Sequence, residues 1–191
     1  MSETKSVLLV GVGGQGIILA SKILSEGLIQ LGYDVKMSEI HGMAQRGGSV
    51  TTQIRYGEKV YSPIIDRGEA DVILAFEKVE ALRSLPHLKK GGKLLINDHE
   101  IYSLPVLIGQ QAYPENIIDK IREQVEHVKA FDAVSMAEEL GNIKTQNMIL
   151  LGALIKALEL DHVEWSELVR DHLPEKVHDL NLKALEAGMN V

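Results

Sequence analysis

The strongest constraint on the fold lies near the start of the chain. The apolar stretch Val7 to Val10 runs into the glycine turn GVGGQG, Gly11 to Gly16, and then into the helical pattern Ile17 to Leu31. Strand, glycine turn and helix in that order open a βαβ unit. The spacing of Gly11, Gly13 and Gly16 meets the dinucleotide fingerprint, with Gly14 and Gln15 between them. Such a turn places free backbone N–H groups and the positive end of a helix dipole where an anion can sit. Gly11, Gly13, Gly14, Gln15 and Gly16 are therefore candidate cofactor-binding positions. The same glycines can serve only to pack the first strand tightly onto its helix, and the sequence leaves both readings open. The acidic ribose reader expected about twenty residues further on falls at Glu39, which runs straight into a second glycine-rich segment.

That segment, EIHGMAQRGGSV from Glu39 to Val50, concentrates His41, Gln45 and Arg46 among three glycines, Gly42, Gly47 and Gly48. It reads as a site loop, because connecting loops often carry function. Arg46 offers a planar donor fork suited to a carboxylate or phosphate. Gly47 and Gly48 permit close approach of a ligand and join the candidate cofactor-binding set.

At 191 residues the chain fits one domain, 1–191, with a substantial core. A net charge of −7 with only 4% aromatics argues against nucleic-acid binding, which favours a basic stripe and stacking platforms. There is no cysteine, so disulfides, thiolate nucleophiles and cysteine-ligated zinc or iron–sulfur clusters are excluded within this chain. The N-terminal apolar run is soon broken by the glycine turn and reads as a first strand, not a signal peptide. The apolar stretch Met148 to Leu160 contains Lys156 and Glu159 and is too short for a membrane span. The expectation is a cytoplasmic protein that does not engage a membrane.

Strand-like runs recur at Val7 to Val10, Val35 to Ile40, Val50 to Tyr56, Val72 to Phe76, Lys93 to Ile96 and His127 to Phe131. Helical patterns at Ile17 to Leu31, Lys78 to Leu85 and Glu115 to Gln124 separate several of them. The implied fold is α/β: a Rossmann-like open, mostly parallel sheet with helices on both faces. Val50 to Ile65 breaks the rhythm, alternating to Tyr56, turning at Gly57 and running on through Val60 and Tyr61, which suggests a small antiparallel insertion. From Ala133 onward the pattern is helical, at about Ser135 to Leu140, Thr145 to Leu160, Trp165 to Leu173 and Glu175 to Gly188.

Other residues carry competing readings. Asn97, Asp98 and His99 follow a strand at the edge where open α/β sheets place ligands, and turn chemistry explains Asn97 and Asp98 equally well. Glu77 and Glu80 suit the first turn of a helix without any catalytic role. Trp165 reads as packing and the Met148 to Leu160 helix as core. The histidines beyond His41 and His99 show no metal-ligand spacing, and no metal site is expected.

GVGGQGI at Gly11, the RGG at Arg46, Gly47 and Gly48, NMILLGAL at Asn147 and LNLKALEAG around Asn181, Ala184 and Gly188 together resemble the gamma-type subunit or domain of 2-oxoacid:ferredoxin oxidoreductases, over nearly the whole chain. The EIHGMAQ lead is similar to the indolepyruvate branch. The resemblance implies oxidative decarboxylation of an aryl 2-oxoacid on thiamine diphosphate, electron transfer through iron–sulfur clusters to ferredoxin, and acyl transfer to coenzyme A. Without cysteines or a GDG motif, this chain is expected to bind none of these cofactors alone. A larger catalytic subunit is implied that brings thiamine diphosphate, Mg²⁺ and the clusters, with ferredoxin met through the complex. In that reading Arg46 clamps a substrate carboxylate or coenzyme A phosphate, and His41 and Gln45 are polar groups near the reacting centre. The alternatives are a stand-alone nicotinamide- or flavin-dependent Rossmann oxidoreductase, for which the fingerprint is the only support, and a nucleotide-sensing module.

Overall fold

A computed structural model describes residues 4–42 and 48–191. Six strands form one sheet: β1 (Lys5–Val12), β2 (Asp34–His41), β3 (Ser49–Gly57), β4 (Ala70–Ala75), β5 (Leu88–Asn97) and β6 (His127–Phe131). Their spatial order is β2-β3-β1-β4-β5-β6. β1, β4, β5 and β6 are parallel neighbours, and β3 runs antiparallel to both β1 and β2. β1 is buried at every position except Lys5, as a continuous apolar run at the centre of a sheet covered on both faces should be.

The antiparallel part differs in detail from the hairpin expected within Val50 to Ile65. β3 pairs along its whole length with β1 and β2, and the stretch between Gly57 and Ala70 forms no strand. Two full ladders satisfy more of the β3 backbone than a hairpin through Val60 would. Side chains hold the irregular stretch instead: Val60 N–H donates to Asp34 Oδ2 at 2.9 Å and Ile65 N–H to Gln53 Oε1 at 2.7 Å.

On one face, α1 (Ile17–Gln30), α5 (Ala133–Glu139), α6 (Gln146–Ala157), α7 (Trp165–His172) and α8 (His178–Met189) cover the inward side chains of β1, β3 and β4, among them Val7, Leu9, Ile54 and Leu74. The other face packs Leu8, Val10, Ile73 and Ile96 against Ala81 of α2 (Lys78–Ser84) and Ile117 and Ile121 of α4 (Ile117–Arg122). A four-residue helix, α3 (Leu104–Leu107), lies between α2 and α4 in the chain. α6 is buried from Asn147 to Ile155, which fixes the apolar stretch near the C-terminus as core. It meets α8 backbone to backbone: a Cβ on Gly152 would lie 2.1 Å from the Leu185 carbonyl oxygen, and one on Gly188 1.9 Å from that of Ile149. Trp165 is buried against Gly27 of α1, and its indole N–H donates to Leu160 O at 2.9 Å. Among the described residues no helix is long and apolar enough to cross a membrane.

Candidate functional site

After β1 the chain departs towards β2 on one side of the sheet, and after β4 towards β5 on the other. The ends of these two parallel neighbours therefore form the topological switch point, where open α/β sheets leave a crevice. Here Gln15 bridges it. Its Oε1 accepts from Val12 N–H and its Nε2 donates to the carbonyl of Phe76, each at 2.8 Å, and the side chain is buried. Asn97, at the end of β5, donates to the same Phe76 carbonyl at 3.2 Å and accepts from Ala133 N–H at 2.9 Å. Buried amides thus tie the ends of β1, β4 and β5 together, and the Asn97 side chain bonds to distant backbone, not within its own turn.

The glycines of the turn divide by role. A Cβ on Gly11 would lie 2.7 Å from Phe76 Cβ, so that position serves the strand-to-turn packing. Gly16 has a φ of 79° and its Cβ would lie 2.5 Å from Nδ2 of Asn147, whose amide donates to the Gly16 carbonyl at 3.4 Å. Gly14, at φ 100°, faces open space. A cavity of about 630 Å³ opens over this turn, lined by Gly13, Gly14, Gln15, Gly16, Ile18, His41 and Gly42 among others. No side chain caps α1 at Gly16, so the first amides of the helix face this region with their dipole uncompensated by a capping group.

The second glycine run meets the first. In the β1–β3 register Val12 opposes Ser49, and one step further Gly13 N–H donates to the Gly48 carbonyl at 2.9 Å. Gly42 N–H donates to the Ser49 carbonyl at 2.8 Å, closing the foot of the β2–β3 connection. His41 ends β2, half-exposed, with Nε2 3.5 Å from Glu39 Oε2. Gln45, Arg46 and Gly47 lie outside the described residues. The dinucleotide arrangement needs an acidic reader on the strand beside β1. Here β3 occupies that place, and Glu39 sits two strand spacings, about 9.5 Å, away.

On the opposite face a smaller cleft of about 150 Å³ is lined by Ser49, Glu77, Glu80, Arg83 and Tyr113 among others. Glu77 caps α2, accepting from Glu80 N–H at 2.9 Å, and its other oxygen accepts from the Tyr113 hydroxyl. Burial first, and then this bond, pushes the Tyr113 phenol up, so that it remains a donor. Both glutamates are buried. Further along the edge Lys78 lies 3.1 Å from Asp98 and 2.7 Å from Glu100. Burial works against its charge, but the two carboxylates overcome that and hold the ammonium pKa up. Among the described residues no group of three or more His, Asp or Glu could hold a metal ion. The parts that sequence reasoning missed are contacts between distant residues: the Gln15 bridge, Asn147 under the turn, and Glu80 against Ser49.

A family model described as pyruvate ferredoxin/flavodoxin oxidoreductase matches residues 6–191. Indolepyruvate oxidoreductase subunit IorB of Thermococcus kodakarensis is 41% identical over 191 residues, covering 96% of this chain and 94% of that protein. The subunit of the same name from Pyrococcus horikoshii is 40% identical, with the same coverage. Two solved structures share the fold. The gamma subunit of a keto/oxoacid ferredoxin oxidoreductase from Geobacter sulfurreducens superposes with a TM-score of 0.70 at 24% identity, covering 97% of this chain and 96% of that one. The 2-oxoglutarate:ferredoxin oxidoreductase of Magnetococcus marinus gives 0.77 at 21% identity, with all of this chain matching 31% of a longer one.

Proposed function

The chain belongs to the pyruvate ferredoxin/flavodoxin oxidoreductase family, and on that premise we propose that it is the small subunit of an indolepyruvate:ferredoxin oxidoreductase. It completes the active site of a larger partner that carries thiamine diphosphate, Mg²⁺ and iron–sulfur clusters. The observation that carries this reading is likeness along 96% of the chain to indolepyruvate oxidoreductase subunits in a sequence with no cysteine. Clusters need thiolate ligands, so the residues present do not fit them, and no electron-transfer step is assigned to this chain.

The chain's own contribution is positional. The meeting of Gly13 with Gly48 brings both glycine runs to one edge of the sheet, where a single partner surface can engage them. In this reading Arg46 grips the carboxylate of an aryl 2-oxoacid or a phosphate of coenzyme A, with His41 and Gln45 beside it. The uncapped start of α1, with Gly14 and Gly16, faces an anion from the other side of the connection. The test is co-expression of both subunits without oxygen. A complex containing this chain, iron and thiamine diphosphate in fixed ratio is expected, while a chain that stays monomeric beside an active partner would refute the assignment.

A further inference from the structure

The foot of the β2–β3 connection is held from the α2 side as well as from the glycine turn. Ser49 donates its hydroxyl to Oε2 of Glu80 at 2.6 Å. Oε1 of Glu80 accepts from Arg83 at 2.7 Å, and Glu80 is only 6% exposed. Its backbone N–H is fixed in turn by Glu77, which Tyr113 and the Ile101 N–H hold from the far side. A glutamate that merely complemented the helix dipole would point to water. This one is buried, with both oxygens engaged, and one of them is committed to a residue of another element. The constraint continues from Ser49 by backbone hydrogen bonds: its carbonyl accepts from Gly42 N–H, and the carbonyl of its neighbour Gly48 accepts from Gly13 N–H.

We propose that Glu80 is a positioning residue which, acting through Ser49, fixes the foot of the β2–β3 connection against the glycine turn at Gly13. The inference rests on the reading of that connection as part of the assembled site. Glu80 touches no reacting group in this account. Its effect is geometric: a site group displaced by a loosened foot loses the alignment that catalysis requires.

The test uses S49A, E80Q, the double variant and S49T, which keeps the hydroxyl. In the isolated chain, amide exchange at Gly42 is followed by NMR. S49A and E80Q should each accelerate it by about tenfold, the loss of one charge-assisted bond, while S49T exchanges as the wild type does and the amides of α6 and α8 are unmoved. In the complex reconstituted with the partner subunit, S49A and E80Q should each lower kcat/KM by about tenfold and the double variant no further than E80Q, because the Ser49–Glu80 bond that S49A removes is already weakened in E80Q. Unchanged exchange at Gly42, accelerated exchange with normal kinetics, or multiplicative losses in the double variant would each overturn the proposal. Failure of the wild-type chain to restore activity would instead count against the small-subunit reading, and the exchange measurement would then decide alone whether Glu80 fixes the foot.

Discussion

Gly13 donates its backbone N–H to the carbonyl of Gly48 across 2.9 Å. This bond makes one surface out of two glycine-rich segments far apart in the chain. It follows from the β1–β3 register, which sets Val12 opposite Ser49 and leaves the next residue of each strand to close the ladder. The antiparallel strand is therefore what builds the candidate site: it displaces β2 from beside β1 and returns the chain to the mouth of the glycine turn.

Gly16 is constrained by its backbone and by its neighbour. An alanine there would adopt a left-handed conformation, at a cost of about 1–2 kcal/mol, and would press on the Asn147 amide, 2.5 Å away. G16A should lose about 2–4 kcal/mol of unfolding free energy in urea. In an N147A background the loss should shrink towards the backbone component. Equal losses in both backgrounds would show that Asn147 yields without strain.

At Gly188 the obstacle is backbone, which no rotamer change relieves. A methyl group 1.9 Å from the Ile149 carbonyl oxygen must drive α8 away from α6, so G188A should cost about 3 kcal/mol or more. G68A, where φ is +77° but the space is open, carries only backbone strain and serves as the comparison. A smaller loss for G188A than for G68A in the same denaturation assay would contradict the close helix crossing.

Asp34 gives a pH dependence whose sign follows from its contacts. Its hydrogen bond to Lys36, then that from the Val60 N–H, hold its pKa below the ordinary 3.8 against a smaller opposing effect of burial. A depressed carboxyl contributes stability that is present above its unfolded pKa and lost as pH falls through the folded value. D34N should therefore be less stable than the wild type at neutral pH, and the gap should close below 3.8. Urea midpoints of both proteins across the carboxyl range would reveal a pH-independent gap if the contacts do not favour the ionised form.

Arg46→Lys keeps the charge and removes the planar fork. If Arg46 grips a carboxylate or phosphate, losing that charge-assisted geometry costs ~1.5–3 kcal/mol, or roughly tenfold or more in kcat/KM. The complex should remain intact by size-exclusion chromatography. Unchanged kcat/KM for both the aryl 2-oxoacid and coenzyme A would remove Arg46 from the site.

The legible parts of this molecule were those with a local signature. The apolar runs gave all six strand positions, and the turn at Gly11 to Gly16 announced the first crossover. The pairing of β3 was not legible, because Gly57 punctuates the sequence as a hairpin turn would, while the ladders that β3 makes depend on β1 and β2 elsewhere in the chain. The same limit applies at the site. Gln15 reads from sequence as part of a fingerprint, yet its buried bridge to Phe76 depends on a strand more than fifty residues onward in the sequence. Asn147 and Gly188 stood out only as family-like motifs, and the structure gives them physical reasons, one under the glycine turn and the other at the α6–α8 crossing. Glu77 and Glu80 read as helix-start acids, which holds for Glu77 as the cap and Glu80 in the first turn and leaves out the bond that Ser49 donates to Glu80.

The most direct test of the small-subunit account is reconstitution of the separately purified wild-type chain with its larger partner under anaerobic conditions, following coenzyme A-dependent reduction of ferredoxin by an aryl 2-oxoacid. A small subunit that completes its partner's site should give no turnover alone, leave little to the partner alone, and restore full activity at a fixed molar ratio of the two. Full activity of the partner without this chain, or no gain on mixing, would contradict it.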